Sequence, residues 1–315
     1  MNLAGVCALA LLAQAPAMSP RTPTKAVPTA PAPMSPVREN GWTPLTPEQR
    51  AALIADPAEA PLAERLLGMS ERFLNTPYVL SPLGEGQGVD PDPPFRLDAV
   101  DCLTFVEETL ALSMAHAEPE VPALLERIRY ASTPSYEDRN HLMEAQWLPN
   151  NIKKGLLVDV TRQYAKDDSV AVTKTLTART WQSKSSMALQ LPRERQPVGT
   201  FTLNMIPLEK VLTHAREVPS GTILVVMRED LPQKATRITH LGFVVQKKKR
   251  TYLRHASKGG YNRVVDEDLE TFLARNARYD KWRVTGVSLF EARRPPATLA
   301  SQPAPARGRA DVGAP

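Results

Sequence analysis

Cysteine is nearly absent from this 315-residue chain, which contains only Cys7 and Cys102. Cys7 lies in an apolar stretch, Leu3 to Leu12. The small residues Ala13-Gln14-Ala15-Pro16-Ala17 follow it, so the segment reads as a signal peptide although no Lys or Arg precedes the apolar run. Once such a leader is removed, Cys102 is the sole thiol, which excludes an internal disulfide and leaves either a buried inert cysteine or a reactive one. Long apolar runs are lacking too. The N-terminal stretch is roughly a dozen residues, short of the about 20 that a membrane-spanning helix needs, and no comparable stretch follows. Aromatic residues make up only 6% of the chain, and no helix-turn-helix, zinc-finger or RNA-binding pattern accompanies its net charge of +5, so no nucleic-acid partner is expected. The short ligand spacings of a zinc site are missing as well, and neither a metal nor another cofactor is called for.

What is present is enough apolar residue, 42%, for one real core, and 30 prolines concentrated toward the ends. The organisation expected is a signal peptide over 1–17, a Pro/Ala-rich tether over 18–42, one catalytic domain over 43–292 and a Pro/Ala/Arg tail over 293–315. Thr46-Pro47-Glu48 carries an N-cap, a first-turn proline and a first-turn acid. Asp56-Pro57 repeats the signal ahead of Leu62, Leu66, Leu67 and Phe73, so two helices are expected. A Gly/Pro/Asp loop from Pro82 to Pro94 follows. From Cys102 onward, Leu103, Val106, Leu110 and Met114 recur at helical spacing, and a further helix covers 121–129. Residues 130–151 mix Trp, Tyr, His, Arg and Asn and read as a site wall. Residues 152–200 are polar and basic, suiting short strands or a surface excursion. After a helix near 208–216, strands are expected at 222–227, 238–246, 251–257 and 283–290. Helices first and strands afterward give an α+β fold, N-terminal helices packed on an antiparallel sheet.

The chemistry gathers on Cys102. A thiol attacks as its thiolate, whose formation is favoured at a helix N-terminus or beside an imidazolium. Asp101 is placed to cap a helix that Cys102 opens. Of five histidines, His116 and His214 read as solvated residues. His240 begins an alternating strand in which Leu241, Phe243 and Val245 face one way and His240, Gly242 and Val244 the other, with Gly242 leaving space beside the ring. Lys247-Lys248-Lys249-Arg250 makes a turn, and the return strand brings His255 toward the same face. Nucleophile, base and orienter are thus all available: Cys102 to attack, His240 to take and return the proton, His255 to hold the tautomer.

Asn75-Thr76-Pro77-Tyr78, Asp101-Cys102, Pro219-Ser220-Gly221, His240-Leu241-Gly242-Phe243 and His255-Ala256-Ser257 resemble, in this order, the motifs of the NlpC-type cell-wall cysteine peptidases, whose fold is papain-like. The resemblance is closer to the N-acetylmuramoyl-L-alanine amidase-like branch. It rests there on Thr104-Phe105-Val106-Glu107, Arg129-Tyr130, Arg139-Asn140-His141 and Trp147-Leu148-Pro149-Asn150-Asn151, while the Leu103-Thr104 pair departs from the Ser-Gly that usually follows Asp-Cys in the superfamily. The resemblance implies an exported enzyme of the bacterial periplasm or cell envelope. It would act as a monomer on peptidoglycan fragments or muropeptides and cleave the amide between N-acetylmuramic acid and L-alanine through a Cys102 thioester. It also implies that Tyr78, His141 and Trp147 bind substrate, with simple core packing the other reading of Trp147. A stem-peptide endopeptidase of the same mechanism and a non-catalytic peptidoglycan-binding module are the alternatives.

Overall fold

The structure, a computed structural model, describes residues 41–55 and 59–294. The expected leader with Cys7, most of the tether, all but the start of the tail, and the Asp56-Pro57 start signal lie outside those residues. Nine α-helices and eight strands are described: α1 Pro47–Ala55, α2 Leu62–Glu71, α3 Cys102–Met114, α4 Val121–Arg129, α5 Leu148–Lys153, β1 Leu157–Asp159, α6 Thr161–Ala165, β2 Val170–Leu176, α7 Lys184–Met187, β3 Gly199–Pro207, α8 Val211–His214, β4 Ile223–Arg228, β5 Ile238–Lys247, β6 Arg250–Ser257, β7 Arg263–Asp268, α9 Leu269–Ala277 and β8 Val284–Ala292. The strands form one antiparallel sheet in the order β2-β3-β8-β4-β5-β6-β7, with β1 also paired to β8. The fold is α+β, as the order of helical and strand patterns predicts.

The sheet is covered on both faces, and β4 shows why its sequence is a continuous apolar run. Ile223, Val225 and Met227 join the core beneath α2 and α3, whereas Leu224 and Val226 join a second core with Val211, Leu269 and Phe272. A strand buried on both faces has no polar positions to alternate with. In the first core, Phe105 of α3 stands edge-on to Phe73 and to Phe243 of β5, each at 5.6 Å. Aromatic rings prefer such edge-to-face contacts, and these hold α3 against the sheet centre.

Two sequence expectations change. β7 and α9 separate the expected strands at 251–257 and 283–290, so the helical part is not confined to the N-terminal half. The 152–200 segment supplies short strands, but it is no surface excursion: β2 pairs with β3, and between them Trp181, Leu189 and Leu191 are buried with Tyr136 and Leu142 in a small third core.

Candidate active site

Cys102 is the first residue of α3, 9% exposed and not in a disulfide. Asp101 is the N-cap, its Oδ1 accepting from the Leu103 and Thr104 amides at 3.0 and 2.8 Å, while the Thr104 hydroxyl accepts from the Asp101 N–H. This reciprocal cap satisfies helix-end donors that would otherwise be orphaned and fixes the direction in which the chain enters the helix. Burial raises the Asp101 carboxyl pKa, against the hydrogen bonds it accepts from Thr104 and Ser81.

A second segment locks the same place. Tyr78 lies beside Val100, with Val79 N–H donating to the Val100 carbonyl at 3.0 Å and Val100 N–H to Pro77 at 3.1 Å. On its other side, Tyr78 N–H donates to Asn262 and Val264 N–H to Thr76, both at 2.9 Å. The Asn75–Tyr78 motif therefore ties the start of α3 to the β7 edge of the sheet. Three residues beyond it stands Ser81, a buried non-glycine residue at φ +48° whose N–H donates to Asp101 Oδ2 at 3.0 Å. Left-handed backbone at a residue with a side chain is strained and persists only where its surroundings over-determine it.

The imidazoles come from β5 and β6, the strands on which α3 packs, and their rings lie on the second-core side of the sheet. His240 Nε2 is 2.7 Å from His255 Nδ1, and both rings contact Phe272 of α9, His240 stacked at 5.7 Å and His255 edge-on at 5.3 Å. Gly242 permits the approach of the two strands: a Cβ there would fall 2.5 Å from the Arg254 carbonyl oxygen and 2.9 Å from His255 Cβ. Strict alternation along β5 fails at one point. Val226 pairs with His240 but Met227 pairs with Ile238, so Thr239 is an extra residue, and Ile238 and Leu241 reach the same core as Cys102 although they are three apart. A bulge of this kind re-aims the side chain of the extra residue, here Thr239, while His240 stays opposite Val226.

Beyond His255 stands a group that the motif reading missed. His255 Nε2 is 3.0 Å from Glu267 Oε2, and Arg275 donates to both Glu267 oxygens at 3.1 and 2.7 Å. Burial would raise the Glu267 carboxyl, but the hydrogen bonds from His255 and Arg275 outweigh it and hold the group below its usual range. Burial pushes both histidines toward the neutral form, His240 well below the ordinary imidazole range, with the nearby His255, Arg275 and Arg228 acting in the same sense. A neutral imidazole is the form that accepts a proton. The signal for these residues lay in Asp268 as an N-cap ahead of Leu269, Phe272 and Leu273, a legible helix start.

The Tyr130–Asn151 wall is corrected to a buried polar layer behind α3. Trp147 is fully buried, its Nε1 donating to Glu107 of α3 at 2.8 Å. His141 is 5% exposed, with Nε2 2.6 Å from the Tyr136 carbonyl. Neither presents a face on which substrate would rest. Arg129 donates to the other Glu107 oxygen, Tyr130 donates to Glu85, and Arg139 bridges Glu85 and Asp90 at 2.6 and 2.9 Å. The 82–94 loop is thus pinned from beneath by the residues that resembled a wall.

His141 supplies a pH prediction. Burial, with the charges of Arg139 and Arg129, lowers its pKa to about 4. The unfolded imidazole takes a proton near pH 6.5, which the folded one refuses until about pH 4. Stability is therefore expected to fall as pH drops through that window, by about 3 kcal/mol for this group. Urea midpoints measured from pH 7 to 4 should fall less steeply in His141→Gln than in the parent, and parallel slopes would remove the assignment.

Among the described residues no cluster of His, Cys, Asp and Glu could hold a metal ion, and no helix is long and apolar enough to cross a membrane. A family model for AmiA-like, N-acetylmuramoyl-L-alanine amidase-like proteins matches residues 68–278. No functionally curated protein matches. Among solved structures, a protein from Legionella pneumophila str. Philadelphia 1 is similar at 22% identity and a TM-score of 0.65, over 78% of this chain and 95% of that one. An N-acetylmuramoyl-L-alanine amidase from Bacteroides uniformis ATCC 8492 is similar at 22% identity and a TM-score of 0.59, over 72% of this chain and 98% of that one. At these identities the likeness is one of fold.

Proposed function

We propose, from the premise that this chain belongs to the AmiA-like, N-acetylmuramoyl-L-alanine amidase-like family, that it hydrolyses the amide joining the lactyl group of N-acetylmuramic acid to L-alanine in peptidoglycan fragments, with Cys102 as nucleophile. The observation that supports the mechanism is the 2.7 Å His240–His255 pair on β5 and β6, the strands on which the Cys102 helix packs, with both rings turned to the Phe272 side of the sheet. Cys102 gives its proton to His240 and attacks the amide carbon. The tetrahedral intermediate collapses as His240 returns the proton to the leaving amine of L-alanine, and the lactyl group stays on sulfur as a thioester. A water molecule, deprotonated by His240, then releases the lactyl carboxylate. By the family resemblance, the oxyanion is assigned to the Cys102 N–H and the Tyr78 hydroxyl. A capped helix opening on the nucleophile, beside an antiparallel sheet bearing the base, supports reading the fold as papain-like and NlpC-type. Such a substrate puts the work of the enzyme, acting as a monomer, in the periplasm or cell envelope, in keeping with the apolar leader pattern of the sequence.

The products of muropeptide digestion test the bond assignment. An intact peptide beginning with L-Ala, together with a glycan bearing a free lactyl carboxyl, is the expected result. Release of an L-Ala-D-Glu dipeptide would overturn it in favour of an endopeptidase.

A further inference from the structure

Two imidazoles in a row pass their hydrogen-bond polarity from one end to the other, and the far end here is a carboxylate. An ionised carboxylate only accepts, so the 3.0 Å contact with Glu267 Oε2 requires the proton of His255 to sit on Nε2. A neutral imidazole carries one ring proton. His255 Nδ1 is therefore bare, and across 2.7 Å it accepts from His240 Nε2–H. That leaves the unshared pair of His240 on Nδ1. The opposite polarity would set two acceptors, His255 Nε2 and Glu267 Oε2, face to face in a buried site with no proton between them.

We infer that Glu267 is a positioning residue that fixes the tautomers of both histidines through His255 and so makes His240 Nδ1 the atom that accepts the Cys102 proton. Its own place is fixed by α9: Arg275 donates to both carboxylate oxygens, and its guanidinium lies 5.6 Å from the Phe272 ring on which His240 stacks. The other charged groups nearby are engaged elsewhere. Asp266 of β7 pairs with Arg254 and Lys247, and Arg228 of β4 donates to the Thr239 hydroxyl at 2.9 Å. When the thiol proton moves from Sγ to His240 Nδ1, no other proton need move, and the new cation is linked through His255 to a standing negative charge. The catalytic consequence rests on the proposed Cys102 mechanism, whereas the tautomer assignment does not.

Nitrogen-15 NMR of the full chain labelled at histidine, near neutral pH, is expected to show His240 and His255 both neutral and protonated at Nε2. In Glu267→Gln, His255 should populate both tautomers, with kcat on muropeptides lowered by about 10- to 100-fold and KM within about twofold. Glu267→Asp should recover part of that loss. A parent spectrum with the His255 proton on Nδ1 overturns the inference even if no Glu267 variant folds, as do parental tautomers and kcat in Glu267→Gln. Turnover retained by Cys102→Ala alongside the expected tautomers would sink the cysteine mechanism and leave the tautomer assignment standing.

Discussion

Cys102→Ala is expected to lose amide hydrolysis by about 10⁴- to 10⁶-fold in kcat, the scale on which a missing nucleophile acts, while keeping its fold and its affinity for muropeptides. Folding should survive because the Sγ takes no part in the helix cap. The capping contacts run from the Asp101 carboxylate to the Leu103 and Thr104 amides and from Thr104 back to Asp101, and alanine is well suited to a first helical position. Turnover, ligand binding and circular dichroism on the same preparation separate these effects. Retained turnover would leave the thiol as packing and assign the hydrolysis to another group. The proton transfer has its own readout: alkylation of Cys102 should proceed below the free-thiol pKa of about 8.5 and slow markedly in His240→Ala. Equal rates in the two proteins would dissolve the pair.

The parts of this site that were legible in the sequence are those whose signal is local. Asp101 ahead of an apolar helical period announces a capped helix, and Gly242 beside His240 announces a close approach of strands, where a Cβ would meet the Arg254 carbonyl. Register was only half legible. Alternation predicts that His240 shares a face with Val244, as it does beside Val226 and Phe272, but the extra Thr239 breaks the period one residue earlier, and a bulge has no dependable single-residue signature. Glu267 escaped for a different reason. A lone carboxylate on a strand is unremarkable until pairing of β6 with β7 sets it near His255. Composition misled at Tyr130–Asn151, since buried charges that are mutually paired look in sequence like an exposed polar wall.

That buried layer carries the second large effect, Arg129→Met, which is expected to cost about 3–5 kcal/mol of stability. Arg129 and Glu107 are each 3% exposed, with the guanidinium donating to Glu107 Oε2 at 3.1 Å and to the Leu83 carbonyl at 3.3 Å. Burial already pushes the Glu107 carboxyl up, and the Arg129 charge is the first force opposing it, ahead of the Trp147 hydrogen bond. Without the arginine, the carboxylate on the nucleophile's own helix must either stay charged in an apolar surrounding or take up a proton at neutral pH. Either course draws heavily on a total stability of about 5–15 kcal/mol. The cost belongs to the orphaned charge more than to the lost contact, so adding Glu107→Gln to Arg129→Met should recover much of it, because a neutral amide can still accept from Trp147. Urea unfolding of the two single variants and the double variant measures that coupling. A single-variant loss below about 1 kcal/mol, or strict additivity, would mean that water reaches Glu107 and that the layer behind α3 is open to solvent.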